Sequence, residues 1–187
     1  MKKALAIILF TLGVSTIGYA QEYKPFQLYL GLGYAAPSDG GGGIILDLEP
    51  SYRINDQIAV GLRIESAAMA KNFSGDFSAE TSVSAVGSYT LNGRYYLGES
   101  NFRPYIGAGL GIYVLGTVEV DASGNTTGGE YDAGSKFGFY PRVGFDVGHF
   151  NMNLDFNIIP KSEENGTELK NSYIGIRMAF FLFGGKN

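Results

Sequence analysis

The chain has 187 residues, with 14 lysines and arginines, 18 aspartates and glutamates, and no cysteine. The acidic excess excludes a typical nucleic-acid binder, which neutralises phosphates with clustered cations, and the lack of cysteine excludes disulfides and thiolate metal sites. Glycine supplies 28 residues, and tyrosine and phenylalanine supply 13 each. Because no long stretch repeats with a helical period, this composition favours β structure.

The first predicted element is an export signal. Two lysines precede an apolar run over residues 4–14, which is too short to cross a membrane as a helix. The triplet "GYA", ending at Ala20, places small residues at the two positions that signal peptidase reads. We predict a cleaved secretory signal peptide over residues 1–20 and one mature domain over residues 21–187, with a net charge near −6.

Eight segments of the mature chain alternate apolar and polar residues with a period of two, the pattern of a strand with one apolar face. In "IILDLEPSYR", Leu46 and Leu48 share one face, and Asp47 and Glu49 share the other. The alternating runs have about the nine to eleven residues that a tilted strand needs to cross a bilayer. The segments cover residues 25–35, 44–53, 58–66, 82–97, 104–116, 136–148, 151–159 and 172–183.

The connections between these segments also alternate. They are long or glycine-rich after the first, third, fifth and seventh segments, and short after the second, fourth and sixth. An up-and-down barrel places alternate connections at opposite ends, and membrane barrels carry long outer loops and short periplasmic turns. The pattern predicts an all-β protein, an eight-stranded antiparallel up-and-down transmembrane β-barrel with four outer loops.

The predicted apolar faces carry no charged residue, which favours a membrane barrel over a soluble ligand carrier, since a lipid-facing cation costs about 2–4 kcal/mol at the bilayer midplane. The polar faces are rich in glycine, which weakens strands but leaves room for large neighbours in a narrow lumen. The neighbours that we expect there are Tyr29, Tyr105, Tyr113 and Tyr140. Interfacial aromatic residues are predicted at Tyr34, Phe137 and Phe139 on the outer side, and at Phe26, Tyr52, Tyr95 and Phe180 on the periplasmic side.

Charges of both signs lie on the polar faces, which suits ion pairing inside the barrel. The short turn "INDQ" predicts that Tyr52 lies opposite Ile58. Counting back from that pair places Asp47 opposite Arg63, with Glu49 on the diagonal.

The turn at the single histidine makes a similar prediction for the last strands. It places Asp155 diagonal to Arg142, with Arg177 on the next strand along. Because a desolvated charge is tolerated when it is paired, we hypothesise a charge-paired lumen, with a water-filled lumen of solvated charges as the alternative. The predicted lumen charges are Asp47, Glu49, Glu65, Asp146 and Asp155 with Arg63, Arg94, Arg142 and Arg177.

Two stretches carry a family resemblance: "RPYIGAGLGIY" at residues 103–113 and the closing "SYIGIRMAFFLF" at residues 172–183. They resemble the small outer-membrane β-barrel family that includes OmpA-type and OmpX-type barrels, often labelled "porin family". The resemblance implies a barrel in the outer membrane of a Gram-negative bacterium, in contact with lipid and lipopolysaccharide and inserted by the barrel-assembly machinery. The chain departs from the family in one respect, because "GGKN" follows the aromatic end of the last strand.

Little in the sequence points to chemistry. The only histidine, His149, falls in a predicted short periplasmic turn, away from the outer rim where a lipid hydrolase would need it. Acidic loop residues, Asp121, Glu130, Asp132, Glu163 and Glu164, lack the spacing of a calcium loop and are interpreted as solvated charge. We therefore predict no catalytic, cofactor or metal site.

The predicted function is a non-enzymatic integral outer-membrane protein with a structural or surface-interaction role. The surface ligand is unspecified by the sequence. Three alternatives are a small-solute channel, a lipid-modifying enzyme and a soluble periplasmic ligand carrier.

Overall fold

The computed structural model describes residues 24–71, 81–98, 100–120, 131–164 and 167–184, and the predicted signal peptide lies outside them. Eight antiparallel strands close into one barrel in the order β1-β10-β7-β6-β5-β4-β3-β2, and two short strands form a separate hairpin. The predicted eight-stranded up-and-down barrel is confirmed. The strands are β1 Phe26–Pro37, β2 Gly42–Arg53, β3 Ile58–Lys71, β4 Thr81–Tyr96, β5 Phe102–Val120, β6 Tyr131–Val147, β7 Phe150–Asn157, β8 Ser162–Glu164, β9 Thr167–Leu169 and β10 Tyr173–Phe183.

Each predicted segment coincides with one barrel strand, but several strands run further than the apolar alternation indicates. β5 spans 19 residues and β6 spans 17, and both extend at the end of the barrel that carries the long connections, here called the long-loop end. The hairpin β8–β9 was not predicted, because its sequence is mostly polar and lacks the alternation that marks a half-buried strand. No helix long and apolar enough to cross a membrane occurs among the described residues.

The turn between β2 and β3 corrects the predicted register. The side-chain Oδ1 of Asn55 accepts hydrogen bonds from the backbone N–H groups of Gln57 at 2.9 Å and Ile58 at 2.7 Å, and this moves the centre of the turn by one residue. Tyr52 therefore lies opposite Val60, and the predicted Tyr52–Ile58 pair is wrong.

The same shift changes the charged positions. Asp47 lies opposite Glu65 rather than Arg63. The register error is two residues, so every side chain still points to the predicted face.

The two faces of the wall have opposite polarity. Outward residues such as Leu30, Leu46 and Met178 are 50 to 56% exposed, whereas the inward residues Tyr140 and Arg63 are fully buried. An apolar outer surface around a polar interior is the reverse of a soluble barrel, as the alternation predicted. Of the predicted interfacial aromatic residues, Phe26, Tyr34, Tyr95, Phe137, Phe139 and Phe180 are exposed, and Tyr52 is half-buried.

Two prolines interrupt the hydrogen-bonded wall. Between β2 and β3 the pairing passes from Leu48–Ile64 directly to Ser51–Gly61, with Pro50 in the interval. We call these interruptions the proline seams, because proline has no N–H to donate to the neighbouring strand.

The second proline seam lies between β6 and β7. Pairing ends at Arg142–Asp155 and resumes only at an isolated bridge between Phe139 and Ile158, with Pro141 in the interval. The two seams are short gaps in a barrel that stays closed, and we use them to define two half-sheets of four strands, one containing β3 to β6 and the other containing β7, β10, β1 and β2.

Candidate functional site

The barrel lumen holds buried charged side chains of both signs. Every arginine of the chain lies inside it, and none is more than 4% exposed. All nine predicted lumen charges are buried there. The inward arginines are Arg53, Arg63, Arg94, Arg103, Arg142 and Arg177, and the inward carboxylates are Asp47, Glu49, Glu65, Asp146 and Asp155.

Two arginines and three carboxylates form the layer nearest the long-loop end. Arg63 lies 3.3 Å from Glu65 and 3.1 Å from Asp155. Arg177 lies 2.5 Å from Glu65, also pairs with Asp155, and lies 3.5 Å from Asp47. Each arginine therefore contacts more than one carboxylate, which spreads the charge through the layer.

A second layer surrounds Glu49. Arg142 binds both carboxylate oxygens of Glu49 at 2.8 and 2.9 Å and donates to Asn92 at 2.7 Å. Arg94 lies 3.3 Å from Glu49 and donates to Ser51 at 2.6 Å. The two-pronged geometry is the strong form of an arginine–carboxylate contact.

A third layer lies nearest the short turns. Asp146 accepts hydrogen bonds from Tyr96 at 2.9 Å and Asn151 at 2.6 Å. The guanidinium groups of Arg53 and Arg103 lie 4.6 and 4.3 Å from the centroid of the Tyr96 ring. The sequence analysis did not include these two arginines among the lumen charges, because they stand at the ends of the predicted segments. Each nevertheless lies an even number of residues from an inward residue of the same strand, and therefore on the same face.

Several of the ion pairs among the described residues join the two half-sheets. Arg142 on β6 reaches Glu49 on β2, and these residues directly adjoin Pro141 and Pro50. The Arg63–Asp155 and Arg177–Glu65 pairs also cross between the half-sheets. These ion pairs thus connect the two half-sheets across the lumen, near the height at which the proline seams interrupt the backbone pairing.

The predicted neighbours of Arg142 need one correction. Asp155 lies directly opposite Arg142 in the strand register, not on the diagonal. The charged partner of Arg142 is nevertheless Glu49 on the far side of the lumen. Sequence spacing reveals strand neighbours, whereas cross-lumen partners depend on how the closed barrel folds back on itself. Arg177 lies on β10, the strand next to β7, as predicted.

Tyrosine rings fill the space around the guanidinium groups. Arg63 lies 3.8 Å from the Tyr140 ring centroid, and Arg94 lies 4.3 Å from that of Tyr29. Planar arginine stacks on aromatic faces better than lysine does. At Gly109 an added Cβ would overlap the Tyr140 ring, so glycine supplies the room for tyrosine that the sequence indicated.

The lumen becomes apolar beyond the first charged layer, at the long-loop end. The residues of this apolar cluster are 5% exposed or less. They pack against one another as in the core of a soluble protein. The apolar cluster consists of Ala35, Ile45, Ala67, Met69, Val86, Tyr113, Leu115, Ile159 and Tyr173.

Groups suited to catalysis or metal binding are few. His149 lies in the two-residue turn between β6 and β7, as predicted, beside Gly148, whose φ of 58° suits such a turn. The described residues contain no cluster of three or more His, Cys, Asp or Glu side chains that could hold a metal ion. Asp121 and Glu130 lie outside the described residues.

A family model identifies the barrel. The model for the outer membrane protein beta-barrel domain matches residues 5–180. The chain belongs to this family. This outer-membrane barrel therefore resides in the outer membrane of a Gram-negative bacterium, and its exposed apolar belt faces lipid.

Three solved structures are similar to the outer-membrane barrel, and the one with the highest TM-score of the three shares its fold. Neisserial surface protein A is 16% identical with a TM-score of 0.57, over 88% of this chain and 99% of that one. OprG from Pseudomonas aeruginosa is 13% identical with a TM-score of 0.47, over 89% and 98%. Ail of Yersinia pestis, solved with the heparin analogue sucrose octasulfate, is 13% identical with a TM-score of 0.46, over 87% and 99%. No curated protein matches the chain.

Proposed function

We propose that this outer-membrane barrel is a non-enzymatic protein with a closed lumen, and that it serves the envelope structurally or interacts with surface partners through its four outer loops. The filled lumen is the observation that carries the proposal. Three layers of charged side chains and an apolar cluster occupy successive heights of one narrow barrel. Eight strands enclose a space just wide enough for side chains to fill.

The height of the wall supports a role at the cell surface. A tilted strand needs about 9–11 residues to cross a bilayer, whereas β5 has 19 and β6 has 17. The extra length lies at the long-loop end, so these strands would carry their connection away from the lipid. In this proposal the loops meet lipopolysaccharide and external partners, and the assembly machinery inserts the barrel.

A small-solute channel is the second candidate. Several buried polar atoms have no hydrogen-bond partner among the described residues, including those of Gln27, Ser88 and Asn153. Such atoms are places where isolated water molecules bind. A channel would require these waters to join into one file past both the ion pairs and the apolar cluster.

Single-channel recording separates the two candidates. The mature barrel would be refolded, its folding verified by a heat-modifiable gel band, and its current measured in a planar bilayer with a large porin as the positive control. We expect no current steps. Reproducible steps from correctly folded protein would overturn the closed lumen and make the channel the leading function.

The N-terminal boundary is a separate proposal. We propose cleavage after Ala20, which N-terminal sequencing of the protein extracted from outer membranes would test. An N-terminus other than Gln21 in the membrane-inserted form would contradict it.

A further inference from the structure

An apolar groove of about 590 Å³ crosses the lipid-facing surface of β5, β6, β7 and β10. Its two walls are rows of residues that are partners in the strand register. Because the rows cross the strands, the groove is elongated along the wall rather than a pit between two side chains. One row is Ile106, Val143, Leu154 and Ile176, and the other is Pro104, Phe145 and Met152.

The floor of the groove is backbone. Tyr105, Gly144 and Asn153 pair with one another between the two rows, and the Tyr105 and Asn153 side chains are buried towards the lumen. The wall residues, in contrast, are half exposed: Ile106 is 50% exposed and Val143 is 52% exposed. No charged residue lines the groove, so its ligand is a hydrocarbon chain rather than a headgroup.

The position of the groove selects the leaflet. Leu97 and Pro104 line one end, and both adjoin the short connection between β4 and β5. That connection lies at the short-turn end, which is periplasmic in this family's orientation. The groove therefore lies in the leaflet built from phospholipid rather than from lipopolysaccharide.

We propose that the groove binds one acyl chain of a periplasmic-leaflet phospholipid. The groove is continuous with the lipid-facing belt, so lipid is the partner already in contact with it. Val143 lies two residues from Pro141, and the β6–β7 pairing ends at Arg142, between them. A bound acyl chain would cover the wall immediately beside this proline seam, where the backbone pairing is interrupted, and would shield it from other contacts.

The absence of tryptophan from the chain allows single reporters to be introduced. Leu97→Trp places a fluorophore at the end of the groove, and Leu62→Trp places one on β3, which does not line the groove, at a lipid-facing position that is 44% exposed. Each purified barrel would be titrated in detergent with a phosphatidylethanolamine that carries brominated acyl chains. We expect saturable quenching of the Leu97→Trp reporter at a few lipids per protein, and quenching of Leu62→Trp only in proportion to bulk lipid.

Filling the groove provides the decisive comparison. Val143→Phe added to the Leu97→Trp barrel should abolish the saturable phase, whereas Val60→Phe, an equivalent outward change on β3, should leave it intact. Leu154→Phe replaces Val143→Phe if the latter fails the gel-shift test of folding. Identical, non-saturating curves for the two reporters, or saturation unaffected by either filling variant, would overturn the site.

Two further outcomes would assign the groove elsewhere. Equal competition by lipopolysaccharide would overturn the leaflet assignment. If the saturable quenching were lost when the barrel dimerises, and Val143→Phe restored the monomer, the groove would be a contact surface for a second copy of the chain.

Discussion

Replacement of Arg142 by methionine tests whether the lumen charges are bound to one another or merely solvated. The side chains of Arg142 and Glu49 are 2% and 5% exposed, and their closest approach is 2.8 Å. Removing one partner of a buried ion pair costs about 3–5 kcal/mol, because the other charge stays buried without full compensation. Glu49 retains Arg94 at 3.3 Å, so we expect a loss of about 3 kcal/mol in the free energy of unfolding.

The assay is urea unfolding of the refolded barrel in micelles, followed by gel mobility. Lys24→Met, at an exposed position outside the strands, is the control for loss of one positive charge. The double variant Glu49→Gln/Arg142→Met should lose less stability than the sum of the single variants, with a coupling energy of about 0.5–3 kcal/mol. A cost for Arg142→Met within about 1 kcal/mol of the control, the size expected for a solvated pair, would refute the paired lumen.

Three further predictions address the interior packing, the topology and the wall. Gly109→Ala should destabilise the barrel by about 1–3 kcal/mol, because the new methyl group overlaps the Tyr140 ring. Gly93→Ala is the control, since no atom lies within 4 Å of the added Cβ, and it should cost less than half as much in the same unfolding assay. Because the chain has no cysteine, Ser38→Cys and Gln57→Cys each give a single thiol, one at each end of the barrel. In intact cells a membrane-impermeant maleimide should label Ser38→Cys and leave Gln57→Cys unlabelled. The reverse result would show that the barrel has the opposite orientation in the membrane. Hydrogen exchange should be faster at Phe156, which the register places opposite Pro141 in the β6–β7 seam, than at Leu154 nearby, because Pro141 has no N–H to complete the ladder there. Equal protection would show that the missing bond does not loosen the wall.

The sequence predicted the strands and their faces because both depend on a period of two, and apolar alternation reports that period directly. It mispredicted the partner of Asp47, since the side chain of Asn55 moves the turn and a two-residue shift leaves the alternation unchanged. The Arg142–Glu49 contact was beyond reach, because its residues lie on strands that approach only through closure of the barrel. Arg53 and Arg103 were within reach, because Arg53 ends its predicted segment on the same face as Asp47 and Glu49, and Arg103 precedes its segment by one residue.

The confinement of arginine to the lumen has a consequence for the medium in which the protein works. At ordinary ionic strengths salt largely screens the attraction between exposed charges that lie more than about 8–10 Å apart, but it acts far less on pairs that water and ions do not reach. The ion pairs between the half-sheets are at most 5% exposed at either side chain. A Gram-negative cell surface meets both dilute and saline surroundings, and a barrel held together in this way keeps the same internal electrostatics in both.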